Sequence, residues 1–116
     1  MFPVEFTKFS KKFEVGFLYW IENDTPTMIQ TDFQITTDKI TVKPFESKYF
    51  QSPDAGVKTT LLFANHHYTE QCEMGIVKGV LVKHGDTLEI EPHDITWTFS
   101  FDVNEYPKRL ARRWRR

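Results

Sequence analysis

From Ile95 to Asn104, apolar and polar residues alternate without a break. Ile95, Trp97, Phe99, Phe101 and Val103 fall on one side, and Thr96, Thr98, Ser100, Asp102 and Asn104 on the other. A period of two places successive side chains on opposite faces of an extended chain, so this stretch predicts a strand with one buried and one wet face. Phe13, Val15, Phe17, Tyr19 and Ile21 predict a second strand. Its other side begins with Glu14 and Gly16 and continues with Leu18 and Trp20, so the later half is apolar on both sides, as in a central or covered strand. Shorter alternations run through Phe2, Val4 and Phe6, through Met28–Thr37, through Ile40 and Val42, and through Leu88 and Ile90. Val57–Ala64 and Met74–Lys83 are richer in apolar residues and predict further strands.

Turn chemistry separates these runs. Asn23-Asp24-Thr25-Pro26, Thr37-Asp38, Ser52–Gly56, His84-Gly85-Asp86 and Pro92-His93-Asp94 each supply residues that favour turns. Short strands with turns and no helical stretch between them predict an all-β chain, sandwich or barrel, and the expected architecture is a single-domain β-sandwich or jelly-roll-like body of about eight strands. Pro44–Gly56 is the longest connection. Its rings, Phe45, Tyr49 and Phe50, suit one helical turn capping the body, or an aromatic platform on a binding loop.

The run from Gly79 to Pro92 resembles the strand–Gly-Asp–strand–Pro grammar of cupin jelly rolls. The resemblance implies a jelly-roll hairpin turning at Gly85-Asp86. A cupin metal site also needs a His-x-His pair followed by a glutamate, and a histidine some residues past the proline. Here His66 and His67 are adjacent, Glu70 follows them, and His93 directly follows Pro92. A cupin-like metal enzyme is therefore the last of the functional readings.

A length of 116 residues fits one domain, and an aromatic share of 16%, led by 11 phenylalanines, suits a thin core that needs much buried area per residue. Charge divides the chain into a body, 1–106, and an arm, 107–116. All five arginines, Arg109, Arg112, Arg113, Arg115 and Arg116, stand in the arm with Lys108, giving it +6, while the preceding residues carry −7. The planar guanidinium grips phosphate or carboxylate at two points. Pro107 suits a first helical turn, and Leu110, Ala111 and Trp114 follow at i+3, i+4 and i+7, so the arm predicts a short basic C-terminal helix with one apolar stripe. Isolated helices shorter than about 12–15 residues are marginal in water, so the arm is expected to order on docking.

The expected function is a non-catalytic binding module. Lys108, Arg109, Arg112, Arg113, Trp114, Arg115 and Arg116 form its contact set for an anionic partner, nucleic acid first. The alternative is a structural subunit of a virion or other multi-protein complex, its arm clamping the acidic surface of a neighbour, with a homo-oligomer as the simplest case. The narrow stripe does not favour a membrane surface.

No cofactor, metal ligand set or catalytic constellation is expected. Adjacent residues on a strand point to opposite faces, so His66 and His67 do not share one ion, and no ligand spacing joins them to Glu70, Cys72 or Glu73. Cys72 lacks the signatures of a nucleophile, and Glu89 and Glu91 suit a wet strand face better than an acid–base pair. Trp97 belongs to the core, whereas Trp20 is open to two roles, a packing contact or an exposed platform. A single cysteine, no signal-peptide pattern and no apolar run beyond Phe17–Ile21 lead to an intracellular expectation, cytoplasmic or within a virion.

Overall fold

The computed structural model describes residues 1–49, 51–66, 71–102 and 112–116, with backbone alone at 66, 71, 72 and 98–102. Its elements run α1 (Val4–Ser10), β1 (Val15–Glu22), β2 (Thr25–Ile35), β3 (Ile40–Pro44), β4 (Lys58–His66), β5 (Gln71–His84), β6 (Thr87–Asp102) and β7 (Arg112–Arg115). The sheet order is β3-β2-β1-β4-β5-β6-β7, all neighbours antiparallel. An additional pairing of β3 with β6, through Thr41–Glu89 and Val42–Leu88, closes the first six strands into a barrel. The body is thus all-β but a closed barrel, where a sandwich or jelly roll was expected. Closure rests on a seam of non-local pairs that periodicity does not report.

Hairpin chemistry sets the register as the sequence predicts. Asn23 and Asp24 both adopt left-handed φ, 50° and 61°, joining β1 to β2 in the primed-turn geometry that matches strand twist. Gly85, at φ 63°, begins the two-residue turn between β5 and β6, so the Gly-Asp hairpin stands without the rest of the cupin pattern.

The barrel interior takes alternate residues. Leu18 and Trp20, Ile29 and Thr31, Ile40 and Val42, Leu61 and Phe63, Val77 and Leu81, and Ile90, Ile95 and Trp97 are buried. On β1 the inward face is therefore Leu18 and Trp20, while Phe17 and Ile21 are 45% and 60% exposed. Trp20 is a core residue, and the exposed-platform role falls.

The alternation of Phe2, Val4 and Phe6 does not make a strand. Residues 4–10 form α1, and Phe2, Phe6, Phe9 and Phe13, spaced by four, three and four, are buried while Val4 stays exposed. Pro3 precedes the helix, and its carbonyl accepts the Phe6 and Thr7 N–H groups at 3.1 Å each and the Thr7 hydroxyl at 2.9 Å. Phe6 meets Trp97 at 5.3 Å between ring centroids, and Phe13 meets Phe63 at 5.0 Å, so the helix is seated in the aromatic core.

Pro92-His93-Asp94 is not a turn. β6 runs straight through it, with one register shift: Lys78 opposes Asp94 and Gly79 opposes Pro92, leaving His93 as an extra residue in a β-bulge. The bulge changes the parity of the strand. Ile90 and Pro92 face inward before it, Ile95 and Trp97 after it. Gly79 makes this possible, because a Cβ there would lie 2.3 Å from the Glu91 carbonyl oxygen and 2.8 Å from Pro92 Cα.

The C-terminal segment is also a correction. Arg112–Arg115 is a strand, paired with β6 from Trp97 to Asp94. The seam to β3 occupies the first part of that edge of β6, and β7 occupies a later part. A strand there completes backbone hydrogen bonds that a helix of this length does not secure. The remainder of the expected helix, including Lys108 and Arg109, lies outside the described residues. No helix forms among the described residues of Pro44–Gly56, where Phe45 and Tyr49 are 67% and 75% exposed. Phe50 lies outside the described residues. Among the described residues no helix is long and apolar enough to cross a membrane.

Candidate functional site

One row of outward-facing residues crosses the sheet from β2 to β7. Met28 opposes Tyr19, Tyr19 opposes Thr60, Thr60 opposes Lys78, Lys78 opposes Asp94, and Asp94 opposes Arg115. The row passes from apolar to aromatic to cationic and ends in an ion-paired acid. Its middle forms one wall of a groove of about 470 Å³, bounded by Tyr19 and Ile21 of β1, Lys58 and Thr60 of β4, Lys78 of β5 and the bulged His93. That volume lies in the range of small-molecule sites.

The floor of the groove is fixed. Thr59, buried beneath it, donates its hydroxyl to the Tyr19 carbonyl at 2.9 Å and ties β4 to β1. Gly79 lets β6 approach, and the bulge turns His93 out to the solvent side of the groove.

The electrostatics are one-sided. Lys58 opposes Val80 and Thr60 opposes Lys78, so the two lysines are diagonal neighbours on one face of the β4–β5 pair. Diagonal neighbours sit about 7–8 Å apart, within reach of long side chains, and like charges so placed repel. Among the described residues no acid lines the groove and neither lysine makes an ion pair. An anion between them relieves that repulsion.

A second groove, about 370 Å³, lies beside α1 and includes Lys8, Phe9, Lys12, Trp97 and Arg112. It has more cations, but two of the three, Lys12 and Arg112, are answered. Lys12 Nζ lies 2.7 Å from Glu73 Oε2, and Arg112 lies 3.5 Å from Glu5, itself a lining residue. The first groove is the better anion site.

β7 distributes its charges by strand alternation. Arg113 makes a two-pronged contact with Asp94, Nε to Oδ1 at 3.1 Å and Nη2 to Oδ2 at 2.7 Å, and Arg115 lies 4.0 Å from the same Oδ2. Arg112 faces α1. Trp114 turns inward against the core and meets Phe2, while Arg116 lies 3.2 Å from Glu91 and donates its backbone N–H to the His93 carbonyl at 3.1 Å. The hydrogen bonds from Arg113 hold the Asp94 carboxyl below its usual range. Partial burial opposes that effect, and the charges of Arg113, Arg115 and Lys78 add to it. The same pairing raises the Arg113 pKa.

Of the residues the sequence singles out, Arg112, Arg113, Trp114, Arg115 and Arg116 are therefore together, but on the protein's own surface. Glu89 and Glu91 do not act as a pair, since Glu89 lies 3.4 Å from His84 and Glu91 meets Arg116. Among the described residues no three His, Cys, Asp or Glu side chains converge as a metal site, and His67, Glu70 and the side chains of His66 and Cys72 lie outside the description. The groove lysines were missed because they stand alone in sequence, 20 positions apart. Only the antiparallel register of β4 and β5 brings them together.

No protein-family model and no curated protein matches the chain. Its fold is similar to that of the FAD binding protein from Mycobacterium smegmatis, with a TM-score of 0.70 over 87% of this chain and 95% of that one, at 18% identity. This likeness corrects the reading as a nucleic-acid module. The barrel has its counterpart in a flavin-binding protein, and the described arginines of the supposed free arm are engaged by Glu5, Asp94 and Glu91 of the same chain.

Proposed function

We propose that this barrel binds a flavin nucleotide in the groove between Tyr19 and His93, with Lys58 and Lys78 on the ligand's phosphate. The observation that carries the reading is the lysine pair, two cations that make no ion pair among the described residues, held as diagonal neighbours beside an aromatic and aliphatic surface with no acid among the described lining residues. A flavin combines the two chemistries this groove offers to match, a flat apolar ring system and an anionic tail. The fold likeness to an FAD binding protein supports the same class of ligand.

The residues present fit that group. Tyr19 and Ile21 offer apolar surface to the ring system, and Thr60 offers a hydroxyl between them and Lys78. Lys58 and Lys78 neutralise phosphate as point charges. His93, exposed on its bulge, adds a donor or acceptor at the rim. A bound flavin supplies hydride or single-electron transfer, and the protein's part is to bind, orient and shield it.

Titration of the protein with FAD, FMN and riboflavin, followed by flavin fluorescence, tests the reading. Saturable binding of the two nucleotides is expected, with riboflavin weaker by about tenfold or more because it lacks the charge-assisted phosphate contacts. Absence of saturable binding, or equal affinity for riboflavin, overturns it.

A further inference from the structure

The groove's cation Lys78 faces an acid across the strand pair, yet does not pair with it. Lys78 and Asp94 are direct cross-strand neighbours on the outer face. Side chains so placed stand about 4.5–5.5 Å apart at Cβ, and opposite charges there attract. Left alone, the two should join, and Lys78 would turn from the groove toward β6. Instead Arg113 covers both oxygens of Asp94, and Arg115 stands behind it at 4.0 Å from Oδ2. Lys78 makes no ion pair among the described residues, although its charge still acts on Asp94.

We propose that Arg113 and Arg115 are positioning residues for the groove: by occupying Asp94 they keep the Lys78 ammonium available to an anionic ligand. The inference rests on the flavin reading for the identity of that ligand, but the competition for Asp94 is a property of the free protein. It also gives the C-terminal arginines a task within the chain. A two-pronged guanidinium outcompetes a single ammonium for one carboxylate, because it matches both oxygens at once. β7 is placed for this by its pairing with β6, which sets Arg115 directly across from Asp94 and Arg113 one step along the same face.

The test measures the acylation rate of Lys78 by an amine-reactive ester, read by mass spectrometry, together with the Kd for FAD. An ion-paired ammonium gives up its proton less readily and acylates more slowly. In Arg113→Ala/Arg115→Ala, Lys78 should label about two- to fivefold more slowly, the effect of one exposed ion pair, and FAD should bind correspondingly more weakly. Adding Asp94→Asn to that variant should restore both, which loss of β7 packing would not allow. Asp94→Asn alone, which removes no arginine, should label at least as fast as the unmodified protein.

Unchanged labelling in the arginine variant, failure of Asp94→Asn to restore it, or slower labelling in Asp94→Asn alone overturns the proposal. If labelling follows the prediction while the unmodified protein binds no FAD, the charge competition stands and the flavin reading fails. If FAD binds but labelling is unchanged, the flavin reading stands and this inference fails.

Discussion

Trp114 and Phe2, from opposite ends of the chain, meet edge to face, ring centroids 5.6 Å apart and planes at 86°. Phe2 is anchored in turn by its backbone N–H, which donates to the Thr37 carbonyl at 2.7 Å, and by contact with Phe6. The C-terminal strand is thus fixed by a ring as well as by charge. Trp114→Ala is expected to destabilise the fold by about 1–3 kcal/mol, below the range for a fully buried ring because Trp114 is only half-buried. With Phe2→Ala in a double-mutant cycle, urea denaturation should give a coupling of about 0.5–1.5 kcal/mol. Strict additivity would mean that the contact contributes nothing.

Gly79 is where backbone meets backbone. Gly79→Ala puts a methyl group into the Glu91 carbonyl, which does not move as a flexible side chain does. The expected cost is about 1–3 kcal/mol. The same change should displace the His93 bulge and weaken flavin binding. A thermal midpoint and flavin affinity both equal to those of the unmodified protein would contradict the close approach.

Asp94 provides a pH signature. Its folded-state pKa is depressed, chiefly by Arg113, so the stabilisation is present above the unfolded-state value, near the ordinary 3.8, and is lost as pH falls through the folded value. Denaturation midpoints of the unmodified protein and Asp94→Asn should therefore differ near neutrality and converge below pH 3.8. A gap that persists unchanged in acid would remove the charge argument.

Most strands were legible because a half-buried strand records its faces locally. Four features were not, each for its own reason. The bulge at His93 shifts the apolar phase of β6 from Ile90 and Pro92 to Ile95 and Trp97, so one continuous strand reads as two with a turn. Phe2, Val4 and Phe6 fit a period of two, and only by extending the window to Phe9 and Phe13 does the helical spacing of the buried rings emerge. On β1 both faces are apolar, so the pattern could not say that Leu18 and Trp20 turn inward while Phe17 and Ile21 stay exposed. In Arg112–Arg115 a lone tryptophan among arginines satisfies a helical stripe and a strand alternation equally, and the choice was made by the edge of β6. The groove was less legible still. Lys58 and Lys78 carry no local motif, and their meeting is a consequence of register.

The most direct test is flavin affinity with the groove's two cations removed. The Kd for FAD of Lys58→Ala/Lys78→Ala should rise by about tenfold or more relative to the unmodified protein, the loss of at least one charge-assisted phosphate contact, with the thermal midpoint little changed because both side chains are exposed. Tight FAD binding that is indifferent to both lysines would contradict the placement of the ligand in this groove.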